Sequence, residues 1–228
     1  MSLFNVRDFG AAGDGQAMDT ASIQKAIDTC AQQGGGEVVF PAGTYCCGQI
    51  HLRSFLDLHL QPGATILGSA DLEDYPLYNG VRRPGIFFGR HLEQVTLRGP
   101  GRIDGQGRAF ANYGEIFPEK SIDRTITRQG KSYCDPADPR VVSPLVMKER
   151  PEYTCTFVSC RDVLIENLTV VDAPYWTFNF VDSLDIQVRG LHIDNDDLIP
   201  NADGLHFGDC KRVRISDCHF DTPDDCIA

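Results

Sequence analysis

Residues 161–170 read Arg-Asp-Val-Leu-Ile-Glu-Asn-Leu-Thr-Val, and a matching pattern returns at residues 184–193 and 211–220. In every copy, apolar side chains occupy the third, fifth, eighth and tenth positions. Positions three and five form one alternating pair of apolar residues, and positions eight and ten form a second. Such alternation is typical of short β-strands. The residues that share a position are Val163, Ile186 and Val213; Ile165, Val188 and Ile215; Leu168, Leu191 and Cys218; and Val170, Ile193 and Phe220.

The copies follow one another after 23 and 27 residues, and a looser copy occupies residues 95–103. A β-patterned repeat of this length predicts a solenoid whose coils stack at the inter-strand spacing of about 4.8 Å. We therefore expect an all-β fold, a right-handed parallel β-helix. A β-sandwich with coincidental periodicity is the alternative. The side chains expected to point inward are Val163, Ile165, Val188, Leu191, Val213 and Ile215.

A single amphipathic helix is predicted at residues 20–33, ahead of the repeats. Its apolar residues Ile23, Ala26, Ile27 and Cys30 follow the helical spacing, and three glycines end it at residues 34–36. Such a helix can cap the first coil, because the end of a solenoid is otherwise apolar and exposed. The glycines of residues 5–15 match no phosphate-binding motif, so we reject that interpretation.

Residues 106–150 interrupt the pattern with polar, proline-containing sequence. A loop of this length is usually functional or mobile. We expect a side insertion that walls one edge of a groove, with a plain surface excursion as the alternative. The chain is otherwise predicted to be a single domain over residues 1–228, truncated at its C-terminal end.

Composition narrows the choice of partners and compartment. The 228 residues contain 21 Lys and Arg against 32 Asp and Glu, a net charge of −11. This charge disfavours nucleic acid and anionic membrane as partners. No apolar run is long enough to span a bilayer, and the N-terminus lacks the pattern of a signal peptide. We expect a soluble protein, cytoplasmic or unconventionally exported, and secreted only if a longer parent chain carries an export signal.

The sequence has nine cysteines, at positions 30, 46, 47, 134, 155, 160, 210, 218 and 226. Their number is odd and their spacing matches no metal-binding pattern. We expect reduced thiols that serve mainly as small core residues. One or two disulfides are an alternative, and a metal site is a weaker one.

Carboxylates concentrate near the C-terminus, in Asn201-Ala202-Asp203-Gly204 and in Thr222-Pro223-Asp224-Asp225-Cys226. Asp203 and Asp224 are 21 residues apart, about one coil, so the three aspartates are expected to cluster on neighbouring coils. Like charges at such range raise at least one pKa, which lets a protonated acid sit beside an ionised base. Alternatively, these residues only shape turns, where Asp and Asn are common. Spacing alone leaves both interpretations open.

These motifs resemble those of the polygalacturonase family of glycoside hydrolases, family 28. Asn201-Ala202-Asp203 is similar to the family's N-T-D motif and Pro223-Asp224-Asp225-Cys226 to its G-D-D-C motif, with Ala202 for Thr and Pro223 for Gly. The resemblance implies the pectin-lyase-like β-helix fold. Further matching stretches, some shared by other pectin-active β-helix families, are residues 5–15, 40–45, 101–107, 150–151 and 173–176.

The resemblance implies hydrolysis of α-1,4-galacturonosyl bonds with inversion, without a metal or an organic cofactor. Asp224 then corresponds to the general acid, and Asp203 and Asp225 to the bases that activate water. Stacking at about 4.8 Å is closer than the roughly 6.5–9.5 Å usual for inverting enzymes. Spacing alone would therefore favour retention, and inversion is implied by the resemblance only.

Three further residues are candidates for substrate binding. Asn201 belongs to the first motif, Trp176 can stack on a sugar ring, and Asn179 follows Trp176 closely. Packing is the alternative for Trp176, and a plain surface position for Asn179. The expected partner is a pectic poly- or oligosaccharide. The histidines within the coil pattern are expected to be wall residues, namely His192, His206 and His219.

Two motifs of the family, Gly-His-Gly and Arg-x-Lys, do not follow the aspartates in this sequence. Because the second motif holds the substrate carboxylate, we expect the 228-residue chain to have little or no hydrolase activity. We also expect it to self-associate through an uncapped C-terminal coil. The alternatives to a glycosidase are a calcium-dependent β-helix pectate lyase and a non-catalytic carbohydrate-binding or structural β-helix.

Overall fold

The computed structural model describes residues 2–80, 82–116 and 145–228, and in them the predicted parallel β-helix is confirmed. Strands are numbered in chain order. The first sheet contains β1 (Leu3–Asn5), β3 (Gly36–Phe40), β6 (Leu56–Leu60), β9 (Glu93–Arg98), β14 (Arg161–Glu166), β17 (Leu184–Arg189) and β20 (Lys211–Ser216). The second contains β2 (Asp14–Met18), β4 (Gly43–Cys47), β7 (Ala64–Gly68), β10 (Arg102–Asp104), β15 (Thr169–Val171), β18 (His192–Asp194) and β21 (His219–Asp221). The third contains β5 (Ile50–His51), β8 (Phe87–Arg90), β13 (Tyr153–Val158), β16 (Trp176–Val181) and β19 (Leu205–Gly208).

Short 3-10 helices at Val6–Phe9 and Leu72–Asp74 connect strands of these sheets, and another, at Gly107–Phe110, follows β10. The chain passes from the first sheet to the second and then to the third before it starts the next coil. Strands from neighbouring coils are therefore hydrogen-bonded in parallel, as a solenoid requires.

The register matches the sequence repeat position by position. Val163 pairs with Ile186, which pairs with Val213. Of the six side chains predicted to point inward, the four in the earlier coils are at most 1% exposed. Val213 and Ile215 also pack against the core but are only partly buried, because β20 is at the edge of the first sheet among the described residues.

The corners between strands use left-handed backbone conformations. One row of corners contains Asn167, Gly190 and Asp217, with φ of 55°, 59° and 55°. Asn and Asp tolerate this region better than other residues with a side chain. A Cβ at position 190 would lie 2.3 Å from Asn167 Oδ1, so the Asn167 side chain would have to move to admit a larger residue there. The repeated Asp and Asn of the sequence therefore shape the coil corners in these rows.

The predicted helix is α1 (Thr20–Gln32), and it buries Ile23, Ala26, Ile27 and Cys30. Its Gln24 side chain accepts a hydrogen bond from His51 N (2.8 Å) and donates one to His51 O (3.0 Å). These bonds satisfy the edge of β5, the outermost strand of the third sheet. The helix thus caps both the apolar end of the solenoid and one sheet edge, as edge strands require.

The predicted insertion is only partly described. Near its two ends lie β11 (Ala111–Ile116) and β12 (Leu145–Met147), which pair with each other antiparallel. Residues 117–144, with Cys134, lie outside the described residues, so a groove wall here stays a prediction. The eight other cysteines are free thiols, and Cys30, Cys47, Cys155 and Cys160 are buried. None of the helices in the described ranges is long and apolar enough to cross a membrane.

One ladder position tests the stacking directly. Ile165 is fully buried, whereas Ile215 holds the same position in the edge coil and is only partly buried. We predict that Ile165→Ala lowers the free energy of unfolding by about 2–5 kcal/mol, because it leaves a cavity in a closed core. Ile215→Ala should lower the free energy of unfolding by clearly less. Urea denaturation measures both losses of stability. An equal or larger loss for Ile215→Ala would contradict the conclusion that Ile215 is less buried than Ile165.

Candidate active site

The backbone of Asp203 is held where β16 meets the next coil. Thr177 donates to Asp203 O through its backbone N (2.9 Å) and its Oγ1 (2.6 Å). On the other side, Gly204 N donates to Asp225 O at 2.9 Å. A Cβ at Gly204 would lie 2.3 Å from Cys226 O. The glycine of this motif thus lets the two coils that carry the aspartates approach closely.

Asn195 ties together three segments that surround the site. It is 3% exposed and its Nδ2 donates to Thr177 Oγ1 (2.8 Å) and to Ala202 O (2.9 Å). Its Oδ1 accepts from Ala173 N at 3.0 Å. Because buried amides of this kind are costly to leave unpaired, Asn195 fixes the loop that precedes Asp203.

Arg150 holds two further loops together. Its guanidinium donates to Pro174 O (2.6 Å) and Pro200 O (3.1 Å), and its Cζ lies 4.7 Å from the centre of the Tyr175 ring. Burial lowers the pKa of Arg150 to about 10, so the side chain stays charged at neutral pH. It anchors the segment that leads into Asn201.

The structure brings the three aspartates together. One carboxylate oxygen from each of Asp203, Asp224 and Asp225 lies within 4.8 Å of the other two. Asp203 is 3% exposed, whereas the other two are exposed. Asn201, with φ of 58°, donates from Nδ2 to Asp224 Oδ2 at 3.3 Å. One predicted binding residue therefore contacts the aspartate that the family resemblance makes the acid.

The environment of Asp203 is unusual for a carboxylate. Its Oδ2 lies 2.7 Å from His206 Nε2, while its buried Oδ1 has no hydrogen-bond partner among the described residues. Burial raises the pKa of Asp203, and the charges of Asp224 and Asp225 raise this pKa further. The hydrogen bond from His206 opposes these effects. Perturbed carboxylates in such clusters are typical of catalytic sites.

His206 was expected to be a wall residue, and the structure instead places it in the site. Its ring lies parallel to Trp176, with 3.6 Å between ring centres and 4° between planes. Trp176 also contacts Tyr153, at 5.7 Å between ring centres. The imidazole covers one face of Trp176, and a role for the tryptophan in sugar binding stays a prediction. The rings of His192 and His219 stack on each other, 4.6 Å apart, on strands of the second sheet.

Asn179 is 7% exposed, which excludes the surface position offered as an alternative. It is paired in register with Thr156 on one side and His206 on the other. Its neighbours Phe178 and Phe180 point into the core, so Asn179 faces the outside of the third sheet. It therefore lies one strand from the residue that contacts Asp203.

The aspartates also form the only group of three or more metal-ligating side chains at this spacing within the described ranges. Calcium takes six to eight oxygen ligands, and three carboxylates would supply part of such a shell. One oxygen of Asp203 is already paired with His206. In the part of the chain that the structure covers, His206 is the only basic side chain within salt-bridge distance of the cluster.

Comparison with known proteins identifies the class to which this site belongs. The model of glycosyl hydrolases family 28 matches residues 30–228, and the chain belongs to this family. A probable polygalacturonase of Vitis vinifera is 28% identical over 97% of the chain. An exo-poly-alpha-D-galacturonosidase of Dickeya chrysanthemi is 27% identical over 99%.

Solved structures agree with the fold. A hyperthermoactive exopolygalacturonase from Thermotoga maritima superimposes over 99% of this chain and 54% of its own, with a TM-score of 0.78 and 28% identity. The family 28 exopolygalacturonase of Yersinia enterocolitica gives a TM-score of 0.72 and 25% identity, over 99% of this chain and 44% of its own. The chain spans 43% and 41% of the length of the Vitis and Dickeya proteins.

The raised pKa of Asp203 predicts a stability effect. A group whose pKa is higher in the folded state destabilises the fold as pH rises above its unfolded value. We predict that Asp203→Asn raises the melting temperature at pH 7 relative to the parent chain, and that this gain shrinks toward pH 4.

Thermal unfolding at the two pH values measures the effect. The control is Asp217→Asn, at an exposed corner whose left-handed conformation Asn tolerates. If Asp203→Asn gained less melting temperature over the parent chain at pH 7 than at pH 4, Asp203 would not be a buried carboxylate whose charge destabilises the fold.

Proposed function

We propose that this chain carries the acid and base groups of a hydrolase that cleaves α-1,4-galacturonosyl bonds in polygalacturonate or related pectic oligosaccharides. The observation that carries the proposal is the cluster of one buried and two exposed carboxylates on adjacent coils. Membership of family 28 and the names of the relatives support the substrate class.

The environments of the aspartates suit different roles. Asp224 is exposed and accessible to a glycosidic oxygen, and Asn201 donates to one of its oxygens. Asp203 is buried, with Oδ2 against His206 and with Oδ1 lacking a hydrogen-bond partner among the described residues. We assign Asp224 as the general acid and Asp203, with Asp225, as the base from the family resemblance, because the raised pKa of Asp203 taken alone would favour its protonated form.

The stereochemistry is part of the proposal. Carboxylate oxygens within 4.8 Å are closer than the separation of roughly 6.5–9.5 Å usual for inverting glycosidases. Inversion is therefore proposed from family membership and not from this distance. The close approach has a second effect, since the two exposed carboxylates repel an anionic galacturonate.

Substrate is proposed to lie along the outer face of the third sheet. A row of paired residues runs there from His206 through Asn179 and Thr156 to Phe88. Phe88 contacts Tyr78, with 5.0 Å between ring centres. Buried polar groups followed by aromatic rings are the usual lining of sugar subsites, which supports a binding role for Asn179.

Hydrolysis is tested by the release of reducing ends from polygalacturonate at mildly acidic pH. We expect little release by the 228-residue chain, because no Arg or Lys pairs with the cluster in its described part. We expect clear release by a form extended through Gly-His-Gly and Arg-x-Lys motifs. In that form Asp224→Asn should lower kcat by about 10²–10⁴-fold with little change in KM, since the general acid is lost.

Asp217→Asn serves as the matched control and should leave kcat unchanged. Full activity of the extended Asp224→Asn variant would contradict the acid role. An extended form that binds polygalacturonate without cleaving it would replace the proposal with a non-catalytic carbohydrate-binding function, and ultraviolet-absorbing products would replace it with a lyase.

Self-association is proposed as a property of the last coil. Val213, Ile215 and Phe220 are only partly buried there, and Ile227 is 50% exposed. We predict that light scattering shows an average mass that rises with concentration, and that Ile227→Lys reduces this rise, because a charge on an edge opposes pairing. Leu3→Lys, at the exposed opposite end, should have no such effect. A monomer at all concentrations would contradict the proposal.

A further inference from the structure

The proposed base, Asp203, lies where an ionised carboxylate is disfavoured. Its side chain is buried, and two carboxylates approach it from the segment that follows β21. Each of these features raises its pKa. A base with this environment needs a compensating donor if it is to be ionised at mildly acidic pH.

His206 is that donor. An ionised carboxylate can only accept hydrogen bonds, so the 2.7 Å contact requires the proton to be on His206 Nε2. The bond occupies Oδ2, while Oδ1 is buried and has no partner among the described residues. It is charge-assisted, and such bonds are shorter and stronger than those between neutral groups.

Trp176 holds the imidazole in place. The two rings are parallel and 3.6 Å apart, and the His206 side chain is 15% exposed. The tryptophan belongs to the preceding coil and packs against Tyr153 in turn. A ring packed in this way has little rotamer freedom, so Nε2 stays directed at Asp203.

We propose that His206 is a positioning residue for the hydrolysis: held flat against Trp176, it donates to Asp203 Oδ2 and so keeps this carboxylate ionised and fixed in orientation. This inference rests on the proposed function, because it assigns a partner to the base of that reaction. His206 itself does not contact the bond that is cleaved.

The charged groups that face Asp203 are few among the described residues. Asp224 and Asp225 approach from the coil that follows, and His206 lies on β19 itself. From β16, the side chains of Trp176 and Asn179 carry no charge. Loss of the His206 donor therefore leaves burial and two like charges to act alone, which raises the pKa of Asp203 further.

Two substitutions separate the donor from the ring. His206→Phe keeps a flat ring against Trp176 but removes the N–H, whereas His206→Gln keeps a donor at a similar reach but removes the ring. In the extended form, we expect His206→Phe to lower kcat at least about tenfold, with KM within about twofold, and to move the acidic limb of the pH profile to higher pH. His206→Gln should recover most of kcat and of the pH profile.

His192→Gln, a histidine outside the site, is the control and should resemble the parent protein. An unchanged kcat and pH profile for His206→Phe would overturn the inference. So would a His206→Gln variant as impaired as His206→Phe, since the donor would then not be what matters.

A titration of the Asp203 carboxyl carbon by NMR tests the contact without any activity, with the signal assigned by its loss in Asp203→Asn. The midpoint should rise in His206→Phe and return toward the parent value in His206→Gln. An unchanged midpoint in His206→Phe overturns the inference even in an active enzyme. A protein that shows the expected midpoints but does not cleave polygalacturonate supports the His206–Asp203 contact and contradicts the proposed function.

Discussion

The parallel stacking of one coil on the next is the constraint on which the rest of this molecule depends. Hydrogen bonds between neighbouring coils fix the register, and the register brings apolar residues from successive repeats into continuous inner rows. The same stacking also makes neighbours of residues about one coil apart on the outer surface of the β-helix. Asp203 and Asp225 are joined in this way through Gly204. The site needs no additional structural element, because the stacking of the coils already sets the distance between the segments that carry the aspartates.

The three aspartates differ in how deeply their carboxylates are buried. Asp203 lies just before β19, where hydrogen bonds from Thr177 hold its backbone inside the corner, and its side chain is buried. Asp224 and Asp225 follow β21 in the coil at the edge and stay exposed. Burial and the two nearby charges therefore raise the pKa of Asp203, although the three carboxylates lie close in space. The contact with His206 opposes this rise.

Much of the fold could be predicted from the sequence because each repeat shows its alternating apolar positions within about ten residues. The rows of Val163 and Ile165 were recognisable from spacing alone, and so was the clustering of Asp203 with Asp224. His206 was not recognised, since its role depends on Trp176, thirty residues earlier, and on a corner that folds it back onto Asp203. Asn195 was missed for a similar reason: its partners are two backbone atoms, Ala173 N and Ala202 O, and the side-chain hydroxyl of Thr177. Burial of Asn179 depends on neighbouring strands that a single repeat does not reveal.

The most direct measurement is a crystal structure of the extended Asp224→Asn protein with a galacturonate oligosaccharide bound. The account predicts a glycosidic oxygen within hydrogen-bond distance of residue 224 and a water within hydrogen-bond distance of the Asp203 carboxylate, on the opposite side of the sugar ring. The rest of the oligosaccharide should lie over the outer face of the third sheet. An oligosaccharide bound on another face, or one whose glycosidic oxygens all lie far from the three aspartates, would contradict it.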